Sequence, residues 1–181
     1  SDGSLSKARD LSQIDGYYES FKNYLELLAN MKNLSDIDFI YSVTEVFQSL
    51  IAHLELSRKE QKDQLAAEKD FHTSHSKKEQ EKQDKRDIDS QVREHVQNMC
   101  TATQAFFHDY ALAGAGTGAM LPPELEAFPQ KFYDENKDLD PASVLDTVSK
   151  AVKNTRNRLE CNVAIRNVLD SFAIELKKVI K

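Results

Sequence analysis

The chain has 181 residues, a net charge of −6 at pH 7, 40% hydrophobic and 30% charged residues, and only five glycines and four prolines. That length allows one domain with a proper core, and so few turn-forming residues argue against a loop-rich fold and for long helices. No apolar run reaches membrane-spanning length, no signal-peptide core is present, and no stretch alternates with period two.

The sequence therefore predicts an all-α protein, a single helical domain over residues 1–181. Residues 1–10 are small and polar and are expected to be loose. The run Ser1-Asp2-Gly3-Ser4, with no initiating methionine, resembles a cut or processed end, so the chain is expected to be a fragment candidate whose targeting signals lie elsewhere. Ser12 and Asp15 can cap a first helix. Its apolar stripe is Ile14, Tyr17/Tyr18, Phe21, Tyr24/Leu25, Leu28 and Met31. The three tyrosines are read as core rings with their hydroxyls at the rim.

Asn33-Leu34 makes a turn, and Ser35 with Asp38 opens a second helix in the same capping pattern. A turn this short makes the first two helices antiparallel neighbours. From Ser35 to Ala113 there is no glycine or proline. Ile40, Val43, Phe47, Leu50 and Leu54 step by three and four, as do Val92, Val96, Met99, Thr103, Phe106 and Tyr110. Each set falls on one helix face.

Between the two sets the seam is polar. Residues 57–91 hold nine bases and nine acids, a solvated stretch that cannot line a core. Either one rod of about 115 Å runs through, or the chain folds back near His72–Ser76. The hairpin is favoured, because Ser76 and Glu79 form a capping box and folding back joins both apolar stripes in one core. Residues 57–91 would then project as a polar helical arm.

Ala113–Ala119 contains three of the five glycines. No lysine follows and a helix precedes, so this is a linker and helix end, not a phosphate loop. Pro123 is expected to start a short helix that Pro129 breaks, with Phe132-Tyr133 packing back on the bundle. Residues 113–139 thus form a long crossover. Asp140-Pro141 marks the start of the last helix. Its two stripes, Leu145–Leu159 and Ile165–Val179, are separated by a step of six, which predicts a bend or break near Asn154–Asn162. The architecture expected is a four-helix-type bundle of long antiparallel helices with a protruding arm and a long crossover.

The search for chemistry is negative. No histidine stands three residues after a glutamate, so a di-iron bundle is excluded. His72 and His75 are read as polar tip residues, and Cys100 makes no convincing dyad with His95 or His108. No nucleophile or metal motif occurs, so no catalytic residue, cofactor or metal is assigned. Cys100 and Cys161 are read as buried free thiols, which suits a reducing intracellular, cytoplasmic setting.

Residues 150–181 carry eight bases against three acids, a balance of +5, and the first 149 residues balance to −11. Lys150, Lys153, Arg156, Arg158, Lys177 and Lys178 are the candidate partner- or anion-binding residues. The leading expectation is a non-enzymatic helical interaction or scaffold module. It would bind an unidentified protein partner, or a second copy as a homodimer, through a helix groove, the arm or the crossover. The alternative is a peripheral membrane-surface or curvature-associated dimer using the basic C-terminal helix. Nucleic acid is disfavoured by the acidic whole.

Overall fold

Two of the helices begin where a first-turn amide finds a side-chain acceptor. The computed structural model describes residues 17–68, 74–113 and 119–181. Six α-helices run in order: α1 (Tyr17–Ala29), α2 (Asp36–Glu68), α3 (Ser74–Leu112), α4 (Ala127–Glu135), α5 (Pro141–Glu160) and α6 (Ile165–Lys177). Short 3-10 turns lie at Met31–Asn33, Pro123–Leu125 and Lys178–Ile180. Among the described residues there is no strand. The expected cap at Ser12 and the expected reversal at His72-Thr73 lie outside the described residues, as do the side chains of Ser76 and Glu79.

Two caps form as the sequence reads. Ser35 Oγ accepts from the Asp38 amide at 3.1 Å and donates to the Asp38 carboxylate at 2.7 Å. Asp140 Oδ2 accepts from the Ser143 amide at 2.9 Å, with Pro141 at the first helical position, where no N–H is needed.

The helices pack as a ring. α2 lies against α6, α6 against α5, and α5 against α3. α1 and α4 close the side between α2 and α3, which meet only marginally among the described residues. One core joins Phe39, Val43 and Phe47 of α2 with Val96, Met99 and Phe106 of α3 and with Val148, Val152, Leu169 and Phe172 of α5 and α6. A straight helix would hold Val43 and Met99 about 84 Å apart. Their place in one core excludes the single rod. Val43 and Phe47 of the α2 stripe do share a core with the α3 stripe, but chiefly through α5 and α6 between them and not by direct pairing, while the side chains of Leu50 and Leu54 lie outside the described residues.

Three sequence expectations are refined. Pro129 does not break the short helix; it sits in the first turn of α4, where a missing N–H leaves no bond unmade. The last helix is two. α5 ends with Asn162 in the left-handed region at φ 55°, while the Asn162 amide reaches Leu159 O at 3.2 Å and the Val163 amide reaches Arg158 O at 3.1 Å. This paired closure satisfies the final carbonyls, and asparagine tolerates the conformation better than most residues. Third, Cys161 caps α5 in solvent, so only Cys100 is buried; both are free thiols.

Residues 119–139 are held to the helices by side-chain contacts. Phe132 of α4 meets the Phe107 and Tyr110 rings edge-on at 5.4 and 5.1 Å, the favoured geometry for aromatic quadrupoles. The buried Asp109 carboxylate of α3 accepts from the Met120 and Leu121 amides at 2.7 and 2.8 Å, and the His108 ring lies 3.2 Å from it. Lys32 Nζ donates to the Glu135 carbonyl at 2.6 Å, and Asn33 to the Glu135 carboxylate at 3.2 Å. The end of α4 is thereby fastened to the turn between α1 and α2.

Candidate interaction surface

The seam between α2 and α6 carries the most unusual chemistry. Lys177 falls four residues after the buried Ala173 and is only 4% exposed. Its ammonium donates to the carbonyls of Met31 and of Leu34, the latter at 2.6 Å. It also stands 5.7 Å from the centre of the Phe39 ring, within cation–π range. Burial pushes the Lys177 ammonium below its usual value, and the carboxylate of Asp36 opposes that shift. Asp36 accepts from Lys181 Nζ at 2.7 Å, which holds its carboxyl below the usual carboxylate range. One side chain of α6 thus satisfies the turn after α1 and the entry to α2.

These bonds fix the register of two antiparallel helices. Lys181 is level with Asp36, and Asp170 is level with Thr44, whose hydroxyl is 3.2 Å from its carboxylate. Along the outer shoulder of the seam, α2 presents Ile37, Tyr41 and Glu45 at steps of four. α6 presents Asp170 and Ile174, and the 3-10 turn that follows presents Lys178, at the same step, running the other way. Residues spaced by four lie in one row on a helix. Ile37, Tyr41 and Ile174 are 67%, 63% and 49% exposed. Single exposed apolar side chains are ordinary on any surface. Here half of the large exposed hydrophobic residues of the described chain gather on one seam.

Of the six nominated bases, four are engaged in bonds within the chain. Lys177 is withdrawn from that set: it is buried and serves two main-chain carbonyls. Arg158 is bonded to Glu175 of α6 at 2.9 Å. Arg156 reaches Thr101 Oγ1 and Gln104 Oε1 of α3, each at 3.3 Å. Lys150 pairs with Asp146 on its own helix. Lys153 and Lys178 are exposed. A further base, Arg93 of α3, donates to Leu159 O at 2.8 Å. Arg93, Arg156 and Arg158 thus tie α5 to α3 and to α6.

The tyrosines of α1 divide. Tyr24 is fully buried and hydrogen-bonds the Thr103 hydroxyl at 2.7 Å, which in turn bonds Met99 O at 2.8 Å. Burial pushes the Tyr24 phenol strongly up. Tyr18 is exposed, contrary to the core reading, and the side chain of Tyr17 lies outside the described residues. His95 is buried, and desolvation lowers its basicity against the opposing charge of Glu94, so its imidazole is neutral at pH 7. The Cys100 thiol is pushed up to about 12 by burial, despite the nearby Arg156, so it is a poor nucleophile.

Among the described residues no group of three or more His, Cys, Asp or Glu side chains could hold a metal. His72 lies outside them, and so does the side chain of His75. No helix of the described chain is long and apolar enough to cross a membrane.

Sequence reasoning missed Ile37, Tyr41 and Ile174 because they lie off the core stripes. The signal was present: Ile37 and Tyr41 are four apart and flank the Ile40–Val43–Phe47 row on its outer side. Comparison with protein-family models, with curated proteins and with solved structures found no match to this chain.

Proposed function

We propose that this chain is a non-enzymatic helical interaction or scaffold module, and that it binds a protein partner through the α2–α6 shoulder. The observation that carries the reading is the in-register gathering of Ile37, Tyr41 and Ile174 on a face whose geometry is fixed by the buried Lys177. A rigid support beneath exposed apolar side chains favours binding, because little order has to be imposed on association. In this reading α2, α3, α5 and α6 form a four-helix-type bundle within one domain. Residues 57–91 form its polar arm, and residues 113–139 its crossover. The membrane-surface alternative draws less support, since Lys177 and Arg158 are committed inside the fold and Arg156 is half-buried against α3.

The test is site-specific photo-crosslinking from position 41 in an extract of the native source, with Tyr18 as a control position on an exposed site of α1. A discrete adduct from position 41, lost in an Ile37→Glu plus Ile174→Glu variant that keeps its helical signal, supports the reading. No adduct, or the same adducts from both positions, overturns it.

A further inference from the structure

The shoulder carries a charge pattern as well as apolar side chains. It forms two rows of three. On α2 they are Ile37, Tyr41 and Glu45; opposite them are Lys178 of the turn after α6, and Ile174 and Asp170 of α6. The rows are registered by the Thr44–Asp170 and Asp36–Lys181 bonds. One end, Glu45 with Asp170, is acidic. The middle, Tyr41 with Ile174, is apolar. The other end carries exposed Lys178 beside Ile37, and beyond it the Lys181–Asp36 pair. A surface with an apolar centre and opposite charges at its two ends is complementary to itself when turned end for end.

We propose that the α2–α6 shoulder binds the same shoulder of a second copy of this chain, with the helices antiparallel; this rests on the interaction-face reading above. A two-fold axis lying in the interface and crossing both rows places Tyr41 on Tyr41 and Ile174 on Ile174. It also sets Asp170 of each copy opposite Lys178 of the other, giving two ion pairs, and places Glu45 of each copy beside Ile37 of the other at the edge of the contact. The other two-fold arrangement, with its axis along the helices, would face Glu45 with Asp170 twice, and like charges at close range disfavour it. An isologous contact of this kind uses one patch on both copies and closes on itself, so it ends at the dimer. Tyrosine at its centre suits the role, since aromatic anchors in the middle of an interface supply most of the binding. Lys177 lies under the patch and fixes the register on which the charge match depends.

The experiment is sedimentation velocity on the full chain over about 1–200 µM, the range of modest interfaces. The variants are Lys178→Glu, Asp170→Lys and Tyr41→Glu, each checked for an unchanged helical signal. The expected result is a concentration-dependent dimer that Tyr41→Glu weakens at least about tenfold. Lys178→Glu and Asp170→Lys each weaken it alone, and a mixture of these two chains regains dimer, because each reversed charge then meets its opposite. A monomer throughout, a dimer indifferent to Tyr41→Glu, or a mixture that shows no recovery would overturn the second-copy inference. If the wild-type chain stays monomeric yet position 41 still crosslinks a different protein, the interaction face stands and its occupant is that protein. If both measurements are blank, both readings fall.

Discussion

Replacing Lys177 by methionine tests whether the buried ammonium holds the α1–α2 turn. The substitution keeps the length and apolar stem of the side chain and removes only the charge and its donors. Two hydrogen bonds are lost, to Met31 O and Leu34 O. Bonds from a charged donor contribute about 1.5–3 kcal/mol each, and the carbonyls left dry add to the loss. Against this, methionine avoids the desolvation of a buried ammonium, which is several kcal/mol for an ion. The net expectation is a destabilisation of about 2–4 kcal/mol, close to the range for removing one member of a buried polar pair. For a chain of this size each kcal/mol moves the midpoint by about 2–4 °C, so the melting temperature falls by about 4–16 °C. Urea and thermal unfolding followed by far-ultraviolet circular dichroism give both numbers. Lys181→Ala serves as the exposed comparison and should stay within about 0.5 kcal/mol, as surface ion pairs do. A Lys177→Met protein as stable as the wild type, or more stable, would refute the claim that the carbonyls depend on this side chain.

Asp109→Ala removes the acceptor for two crossover amides and should destabilise by about 2–4 kcal/mol; hydrogen exchange at Met120 and Leu121 should accelerate before exchange in α3 does. Phe132→Ala opens a hole against Phe106, Phe107 and Tyr110 and should lower stability by about 3–5 kcal/mol in urea titration. A thiol reagent at pH 8 should label Cys161 rapidly and Cys100 only on unfolding, read as one fast equivalent in the native chain and two in denaturant. Alkali should weaken the fold: Cys100 is raised from 9.0 to about 12 and Tyr24 is raised above 10.0, so above pH 9 the unfolded chain releases protons the folded chain keeps. Stability is then full below pH 9 and falls as pH rises, by up to about 1.4 kcal/mol per unit for each group; urea midpoints of wild type and Tyr24→Phe from pH 8 to 10.5 should diverge above pH 10.

Local signals in the sequence carried well into the structure. Asp140-Pro141 and Ser35 with Asp38 cap their helices because those side chains need only their own next turn. The α3 stripe from Val92 to Tyr110 is buried at every named position, since period alone decides which face leaves water. Neighbour relations were less legible. α2 and α5 both show apolar faces, and nothing in either face says that α6 will lie between them. The break at Asn162 showed as a step of six in the apolar pattern, but its place depended on which residue would accept a positive φ. Pro129 was misjudged because a proline stops a helix in its interior and is tolerated in its first turn. Lys177 was taken for a surface base because burial of a lysine is rare and requires carbonyls brought from 143 and 146 residues away.

The position of α6 beside both α2 and α5 also fixes an order of events during synthesis. Thr44 and Asp170 are bonded across 126 residues. At about 5–20 residues per second, a ribosome takes about 6–25 s to deliver the second after the first. For that interval the side of α2 that α6 will cover has no permanent occupant. α1, made earlier, can shield only the opposite flank. The chain therefore lives through a stage in which helices exist but the ring is open, and the last helix to arrive is the one that carries the Lys177 clasp. Factors that shelter unfinished chains would act in that window, and a pause between the synthesis of α2 and that of α6 would lengthen the nascent protein's exposure to aggregation.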